Sequence, residues 1–189
     1  MTQSIIAKGS IKDIAKGDVA IALMNAKIVL LCDRSSSMLE HARDGKCRAE
    51  IEDDIVAKFQ AKHPGQIALV SFSGSAELRE DGILPYPEGG TMMTSALDLV
   101  EPMVDIGMRA VMITDGEPGE DERMVISSAM RYKGKMDCIY VGPEMGGGGD
   151  FCNRLAKAVG GSNTICDLNK EPELLAEKLG QLLLAAGGK

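Results

Sequence analysis

The chain has 189 residues, 44% of them hydrophobic and 26% charged, a composition typical of a globular protein and not of a disordered one. Its 28 acidic residues outnumber 21 basic ones, and the net charge of −7 argues against a nucleic-acid-binding surface. No apolar run is long enough to span a membrane, and residues 1–17 lack the apolar segment of a secretory signal. We therefore expect a cytoplasmic protein that forms a single domain over residues 1–189, with its core at about residues 26–184.

The cysteine pattern favours free thiols. The chain contains five cysteines, namely Cys32, Cys47, Cys138, Cys152 and Cys166. An odd number without Cys-x-x-Cys spacing indicates neither a disulfide framework nor a zinc site. Reduced cysteines agree with the expected cytoplasmic location.

Residues 1–25 can be interpreted in two ways. Ile5, Ile6, Ile11 and Ile14 could form a short helix, whereas residues 19–23 could pair as a strand. The pattern does not decide between these alternatives.

From residue 27 onward, short apolar runs alternate with helical segments. The predicted strands cover residues 27–32, 67–72, 110–114, 137–141 and 163–166. The predicted helices cover residues 48–62, 91–104, 121–132, 151–159 and 171–182. A short polar strand at residues 77–84, followed by two prolines, suits an antiparallel edge. This alternation predicts an α/β fold with a mainly parallel sheet that is covered on both faces.

Three segments carry side-chain oxygens that could bind a metal. Asp33, Ser35 and Ser37 follow the first strand, Thr91 opens a helix after two glycines, and Asp115 ends the strand at residues 110–114. Carboxylate and hydroxyl oxygens suit a hard cation such as Mg²⁺ or Mn²⁺. Each residue also has a structural alternative, because Asp33 and Thr91 could cap helices and the others could belong to solvated turns. For Thr91 we expect capping and metal binding together.

The ordered set Asp33-x-Ser35-x-Ser37, Thr91 and Asp115 resembles the metal-ion-dependent adhesion site (MIDAS) of von Willebrand factor type A (VWA) domains. The resemblance covers roughly residues 26–184. It implies a three-layer α/β/α, doubly wound, Rossmann-like sheet of six strands, mainly parallel with one antiparallel edge strand. It also implies that the five residues hold Mg²⁺, with Mn²⁺ or Ca²⁺ as alternatives, and that the metal binds an Asp or Glu carboxylate of a protein partner.

The resemblance also implies a class of partner. Stand-alone microbial VWA proteins often work with AAA+ ATPases of the MoxR or chelatase kind. We accordingly expect a non-enzymatic binding module without catalytic residues, whose partner is a protein and not a nucleic acid or a membrane.

Two other classes of function compete with this one, an enzyme and a structural subunit. A Mg²⁺-dependent hydrolase of the haloacid-dehalogenase type would use Asp33 as its nucleophile, but it needs a second Asp where this chain has Ser35. A serine hydrolase is disfavoured because Ser73 lacks the first glycine of a nucleophile elbow, and only His41 and His63 could act as its base. The remaining alternative is a structural or assembly subunit that uses the metal as a static brace.

Several polar residues near the motif are expected to be structural. Arg34 and Ser36 should lie on the surface, pointing away from the ligands. A group of acidic residues is more typical of solvated helix starts than of a functional rim, namely Glu88, Glu117, Glu120, Asp121 and Glu122. Residues 146–149 are all glycine and are expected to form a flexible loop, although a glycine-rich helix start could also cradle an anion.

Overall fold

A computed structural model describes residues 5–15, 18–144 and 147–187, and these residues contain one six-stranded sheet. The strands are β1 (Ile28–Asp33), β2 (Ile67–Phe72), β3 (Ala76–Leu78), β4 (Arg109–Thr114), β5 (Met136–Tyr140) and β6 (Asn163–Ile165). Their order is β3-β2-β1-β4-β5-β6, and every neighbouring pair is parallel except β2 and β3. The predicted mainly parallel sheet with one antiparallel edge strand is therefore confirmed.

Helices cover both faces of the sheet. They are α1 (Ile11–Ala15), α2 (Val19–Met24), α3 (Arg48–Lys62), α4 (Met93–Asp105), α5 (Glu122–Ala129), α6 (Gly147–Val159) and α7 (Glu173–Ala186). Two short 3₁₀ turns follow β1 and α5, at Ser36–Leu39 and Met130–Tyr132. In the part of the chain that the structure describes, no helix has the length and apolar character needed to cross a membrane.

The side chains of β1 alternate between two hydrophobic layers. Val29 and Leu31 belong to the layer that contains the buried faces of α4, α5 and α6. Ile28, Leu30 and Cys32 belong to the opposite layer, which contains the buried faces of α3 and α7. All six residues of β1 are buried, which explains why this strand is a continuous apolar run and not an alternating one.

Residues 19–23, for which the sequence suggested a strand, are helical. Residues 19–23 lie in α2, so their interpretation as a strand is wrong. Asp18 caps this helix, since its side chain accepts a hydrogen bond of 3.1 Å from the Ile21 backbone N–H. Helix α1 is shorter than the isoleucine pattern suggested: Ile11 is buried in it, whereas Ile5 lies outside the helix and is exposed.

The edge strand is shorter than predicted. It ends at Leu78 instead of continuing to residue 84, because the chain turns at residues 79–82. The Asp81 carboxylate accepts a hydrogen bond of 3.1 Å from the Ile83 backbone N–H, and Gly82 adopts a φ of 73° in this turn. Residues 83–90 then run toward the carboxyl edge of the sheet without pairing as a strand.

Helix α6 begins at Gly147, four residues before the predicted start. A Cβ at Gly148 would lie only 2.9 Å from the backbone carbonyl carbon of Gly116, in the loop after β4. The absence of side chains thus lets the first turn of α6 pack against that loop. The expected flexible loop is wrong for residues 147–149, and residue 146 lies outside the described residues.

The five cysteines are free, as expected. Four are buried, and Cys47 is partly buried. Burial raises the pKa of Cys152 to about 12 and that of Cys166 to about 11, so these thiols stay protonated and behave as small apolar side chains.

Candidate metal centre

The candidate site lies where the strand order of the sheet changes direction. β1 pairs with β2 on one side and with β4 on the other. The strands β2 and β3 extend the sheet in one direction from β1, and β4, β5 and β6 extend it in the opposite direction. Asp33 is the last residue of β1, and Asp115 follows the last residue of β4. Because the two strands are parallel and adjacent, their carboxyl ends meet at this topological switch point, where ligands gather in open α/β sheets.

Asp33 is fully buried at the base of the site. Its Oδ1 accepts a hydrogen bond of 2.8 Å from the Ser35 backbone N–H, and its Oδ2 accepts one of 2.6 Å from the Thr114 hydroxyl. Burial raises the pKa of Asp33 to about 6, although both hydrogen bonds act in the opposite direction. Thr114 was not among the predicted site residues, although it immediately precedes Asp115 at the end of an apolar strand.

Ser35, Ser37 and Asp115 form a continuous chain of oxygen atoms. The two serine Oγ atoms are 3.0 Å apart, and the Ser37 hydroxyl donates a hydrogen bond of 2.8 Å to Asp115 Oδ1. The 3₁₀ turn after β1 brings the two serines to the same side, with Ser35 as its N-cap residue. The structure thus joins four of the five predicted residues in one network, since Asp33 contacts Ser35 as well.

Thr91 lies beside this network, in the segment that leads into α4. Its backbone carbonyl accepts a hydrogen bond of 2.8 Å from Gly119 N–H, in the loop that follows Asp115. The N-cap residue of α4 is Met92, so the prediction that Thr91 caps the helix is wrong. Thr91 is nevertheless buried against the loop that carries Asp115, so the structure places it near the other four predicted residues.

The nearby acidic residues have structural partners. Glu120 accepts hydrogen bonds from both the backbone N–H and the hydroxyl of Thr94, so it stabilises the first turn of α4. Asp121 caps α5, and Glu122 pairs with Arg154 at 2.7 Å. These three carboxylates therefore belong to helix starts, as expected.

Arg34 is not on the surface, so that prediction is wrong. Only 2% of the residue is exposed, its Nε donates to the Pro85 carbonyl at 2.8 Å, and its Nη1 donates to Asp53 Oδ1 at 3.0 Å. Arg34 therefore ties the segment beside the site to α3. Ser36 is exposed as predicted, and its hydroxyl donates to the Gly89 carbonyl at 3.1 Å.

A buried cation, Arg48, was missed by the sequence analysis. Arg48 is the first residue of α3, and its Nη1 donates a hydrogen bond of 2.5 Å to Asp115 Oδ2. Its Nη2 also pairs with Glu40 at 2.9 Å. Nothing in the local sequence distinguishes Arg48 from an exposed arginine at a helix start, because its partner is 67 residues away.

The donors of the network fit a hard divalent cation. They are hydroxyl and carboxylate oxygens, with no histidine or thiolate that would favour a soft metal. Within the described ranges, no three His, Cys, Asp or Glu side chains are grouped as metal ligands. A metal held here would therefore depend on the hydroxyls of Ser35 and Ser37 as much as on carboxylates.

No protein-family model and no curated protein matches this sequence. Several solved structures resemble it. BatB from Bacteroides thetaiotaomicron matches with a TM-score of 0.69 and 15% identity, over 87% of this chain and 100% of BatB. A von Willebrand factor type A protein from Catenulispora acidiphila matches with a TM-score of 0.62 and 18% identity, over 87% of this chain and 43% of its own.

A third structure, manganese-loaded TRAP protein from Plasmodium vivax, matches with a TM-score of 0.52 and 15% identity, over 85% of this chain and 74% of its own. At these identities the similarities establish the fold alone. Together with the strand order, they show that the chain has the fold of VWA domains.

Proposed function

We propose that this chain is a metal-dependent protein-interaction domain, which binds an Asp or Glu carboxylate of a partner through a divalent cation. The observation that carries the proposal is the oxygen network of Ser35, Ser37 and Asp115 at the switch point of the sheet. Asp33, Ser35, Ser37, Thr91 and Asp115 would hold the metal as a MIDAS. When bound, the metal would supply an electrophilic centre to which the partner's carboxylate attaches.

The donor set supports Mg²⁺ as the resident metal, with Mn²⁺ or Ca²⁺ as alternatives. The manganese in the Plasmodium vivax structure supports the use of a divalent cation by this fold. An AAA+ ATPase of the MoxR or chelatase type is the partner class that we favour, on the resemblance of the motif. A pull-down with the purified chain, eluted with EDTA, tests this partner class directly.

The same contacts argue for a binding role and against an enzymatic one. In a haloacid-dehalogenase-type hydrolase, Asp33 would attack the substrate, but its carboxylate is fully buried beside Ser35 and Thr114, which leaves less room for a substrate than for a small cation. Ser35 also replaces the acid that such an enzyme needs two residues after the nucleophile. A static metal brace is the alternative that requires an experiment.

We expect chelator-stripped wild-type protein to bind one Mg²⁺ or Mn²⁺ ion, and Asp33→Ala to abolish this binding. Removal of the carboxylate takes away the buried negative charge at the base of the site. Isothermal titration calorimetry measures the stoichiometry and affinity, and circular dichroism establishes that the variant is folded. Undiminished binding by folded Asp33→Ala would contradict the proposed site.

We expect Ser37→Ala to distinguish a binding site from a brace. The substitution removes the hydroxyl that joins Ser35 to Asp115, so the affinity for Mg²⁺ should fall at least about tenfold. The two lost hydrogen bonds should lower the melting temperature by only about 4–8 °C. The measurement is a melting curve with and without Mg²⁺, beside calorimetry.

Ser36→Ala is the matched control, because its exposed hydroxyl donates to the Gly89 carbonyl, outside the network of Ser35, Ser37 and Asp115, and its loss should leave the metal affinity unchanged. A loss of metal binding with a small change in melting supports the interaction domain. A collapse of the melting temperature together with metal binding would favour the brace.

A further inference from the structure

Arg48 places a fixed positive charge inside the candidate metal site. We infer that Arg48 is a positioning residue that competes with the metal for the Asp115 carboxylate and keeps the loaded site positively charged for an incoming carboxylate. This inference rests on the proposed function, because it concerns how the same site selects its ligand. Its basis is the geometry of the Arg48–Asp115 pair.

Both oxygens of Asp115 are already engaged. Oδ1 accepts the hydrogen bond from Ser37, and Oδ2 accepts the 2.5 Å hydrogen bond from Arg48 Nη1. A metal that takes either oxygen directly must share that oxygen with one of these donors or displace it. The Arg48 side chain is well placed to resist this, because its Nη2 is held by Glu40 at the same time.

The burial of this pair strengthens the electrostatic interaction between Arg48 and Asp115. The side chain of Asp115 is 0% exposed and that of Arg48 is 7% exposed, so neither water nor salt screens their interaction well. Glu40 differs, because its side chain is 65% exposed and its charge is largely screened. Among the buried charges, Arg48 therefore cancels one of the two negative charges that Asp33 and Asp115 would offer to the metal.

Two consequences follow for a bound divalent cation. Its attraction to the empty site is weaker than the pair of aspartates alone would provide. Once it is bound, the site retains a positive charge that the two aspartates would otherwise neutralise. An incoming carboxylate then completes the charge balance, so binding of metal and of carboxylate should strengthen each other.

The test is the binding of Mn²⁺ to chelator-stripped protein, followed by calorimetry in sodium acetate and in sodium chloride of equal ionic strength. In the wild type, we expect acetate to tighten Mn²⁺ binding. In Arg48→Gln, we expect the Mn²⁺ dissociation constant in chloride to fall about tenfold and the effect of acetate to disappear. Arg48→Lys keeps the charge and should restore the wild-type pattern.

Arg109→Gln is the matched control for loss of an arginine–aspartate pair. Arg109 pairs with the buried Asp137 at the start of β4, at the opposite end of the strand from Asp115. This variant should lose stability and retain the wild-type affinity for Mn²⁺ and its response to acetate.

The outcomes separate the inference from the proposed function. If the wild type binds Mn²⁺ and folded Arg48→Gln binds it equally or more weakly, the inference is overturned and the proposed function stands. If Arg48→Gln binds Mn²⁺ and the wild type binds it only with acetate, the inference is supported. If neither protein binds Mn²⁺ in either buffer, both the inference and the proposed function fail.

A measurement on the wild type decides the case in which Arg48→Gln does not fold. The side-chain ¹⁵N–¹H resonance of Arg48 should move when Mg²⁺ saturates the protein, because the cation alters the contact between Arg48 and Asp115. The resonance of Arg109 should stay in place. An Arg48 resonance that does not move while Mg²⁺ binds would overturn the inference.

Discussion

Glu52→Gln is expected to abolish most of the loss of stability that the wild type suffers as the pH rises from 6 to 8. Glu52 lies in α3 with its carboxylate fully buried. Its nearest cation is Arg34, whose Nη1 lies 3.5 Å away. Burial raises the pKa of Glu52 from 4.5 to about 8, even though the charge of Arg34 lowers it.

The sign of the effect follows from where the proton is bound. Between pH 4.5 and 8, the folded chain keeps a proton on Glu52 that the unfolded chain has lost, so the free energy of unfolding falls as the pH rises. The slope is about 1.4 kcal/mol per pH unit near pH 6 and falls to about half of that at pH 8, which gives roughly 2 kcal/mol between pH 6 and 8. Glutamine resembles the protonated acid and carries no proton that can be lost.

Urea denaturation in EDTA, repeated at several pH values above 6, measures this difference. Below pH 6 Asp33 adds a slope of the same sign, because burial raises its pKa to about 6. Asp54→Asn is the control, since Asp54 is an exposed carboxylate on the same helix and the variant should keep the slope that Glu52 causes. Parallel curves for wild type and Glu52→Gln would mean that Arg34 keeps Glu52 ionised in the fold.

Gly161→Ala is expected to destabilise the protein by about 3 kcal/mol or more, which lowers the melting temperature by roughly 6–12 °C. A Cβ at Gly161 would lie 1.8 Å from the carbonyl oxygen of Met136, the buried first residue of β5. The Cβ and the Met136 carbonyl are both attached directly to the main chain, so no side-chain rotation can relieve the clash and the loop at Gly161 must shift. Such a shift would break the 2.8 Å hydrogen bond from Ser162 N–H to Asp137.

Gly160→Ala is the matched control for this substitution. Gly160 has a φ of 70°, but beyond its two chain neighbours no atom of the described residues lies within 4 Å of the position of its Cβ. Alanine should therefore cost only the left-handed backbone conformation, about 1–2 kcal/mol. Thermal melting of both variants compares the clash with the backbone cost, and an equal or smaller effect of Gly161→Ala would show that the loop adapts freely.

The sheet and the positions of Asp33 and Asp115 at its edge could be predicted because their signals are local. A strand buried on both faces must be a continuous apolar run, as β1 is, and its end can be located to within a residue. The same holds for the apolar face of α4, where Met93, Leu97 and Val100 are all buried as their spacing indicates. Asp33 and Asp115 could then be placed together from the parallel order of their strands.

The buried charges could not be predicted, because their burial depends on partners far away in the sequence. The buried Arg48 side chain is paired with Asp115, and the buried Arg34 side chain donates hydrogen bonds to the Pro85 carbonyl and to Asp53. A charged side chain next to a helix start or a turn normally lies in water, so the local pattern favours the wrong answer. Glu52 was missed for a different reason, because it occupies a fully buried core position of α3, where an apolar residue is the usual expectation.

The candidate site also constrains the order in which the protein can be completed during synthesis. The hydrogen bonds Asp33–Thr114 and Ser37–Asp115 join residues that are 81 and 78 positions apart. A nascent chain that has emerged only as far as β2 contains Asp33 and the two serines but lacks Thr114 and Asp115, which lie at the end of β4. Since such distant contacts form late, a cation that needs the residues after β1 and those at the end of β4 has little to bind before the sheet is assembled. It would therefore slow unfolding and leave the rate of folding almost unchanged.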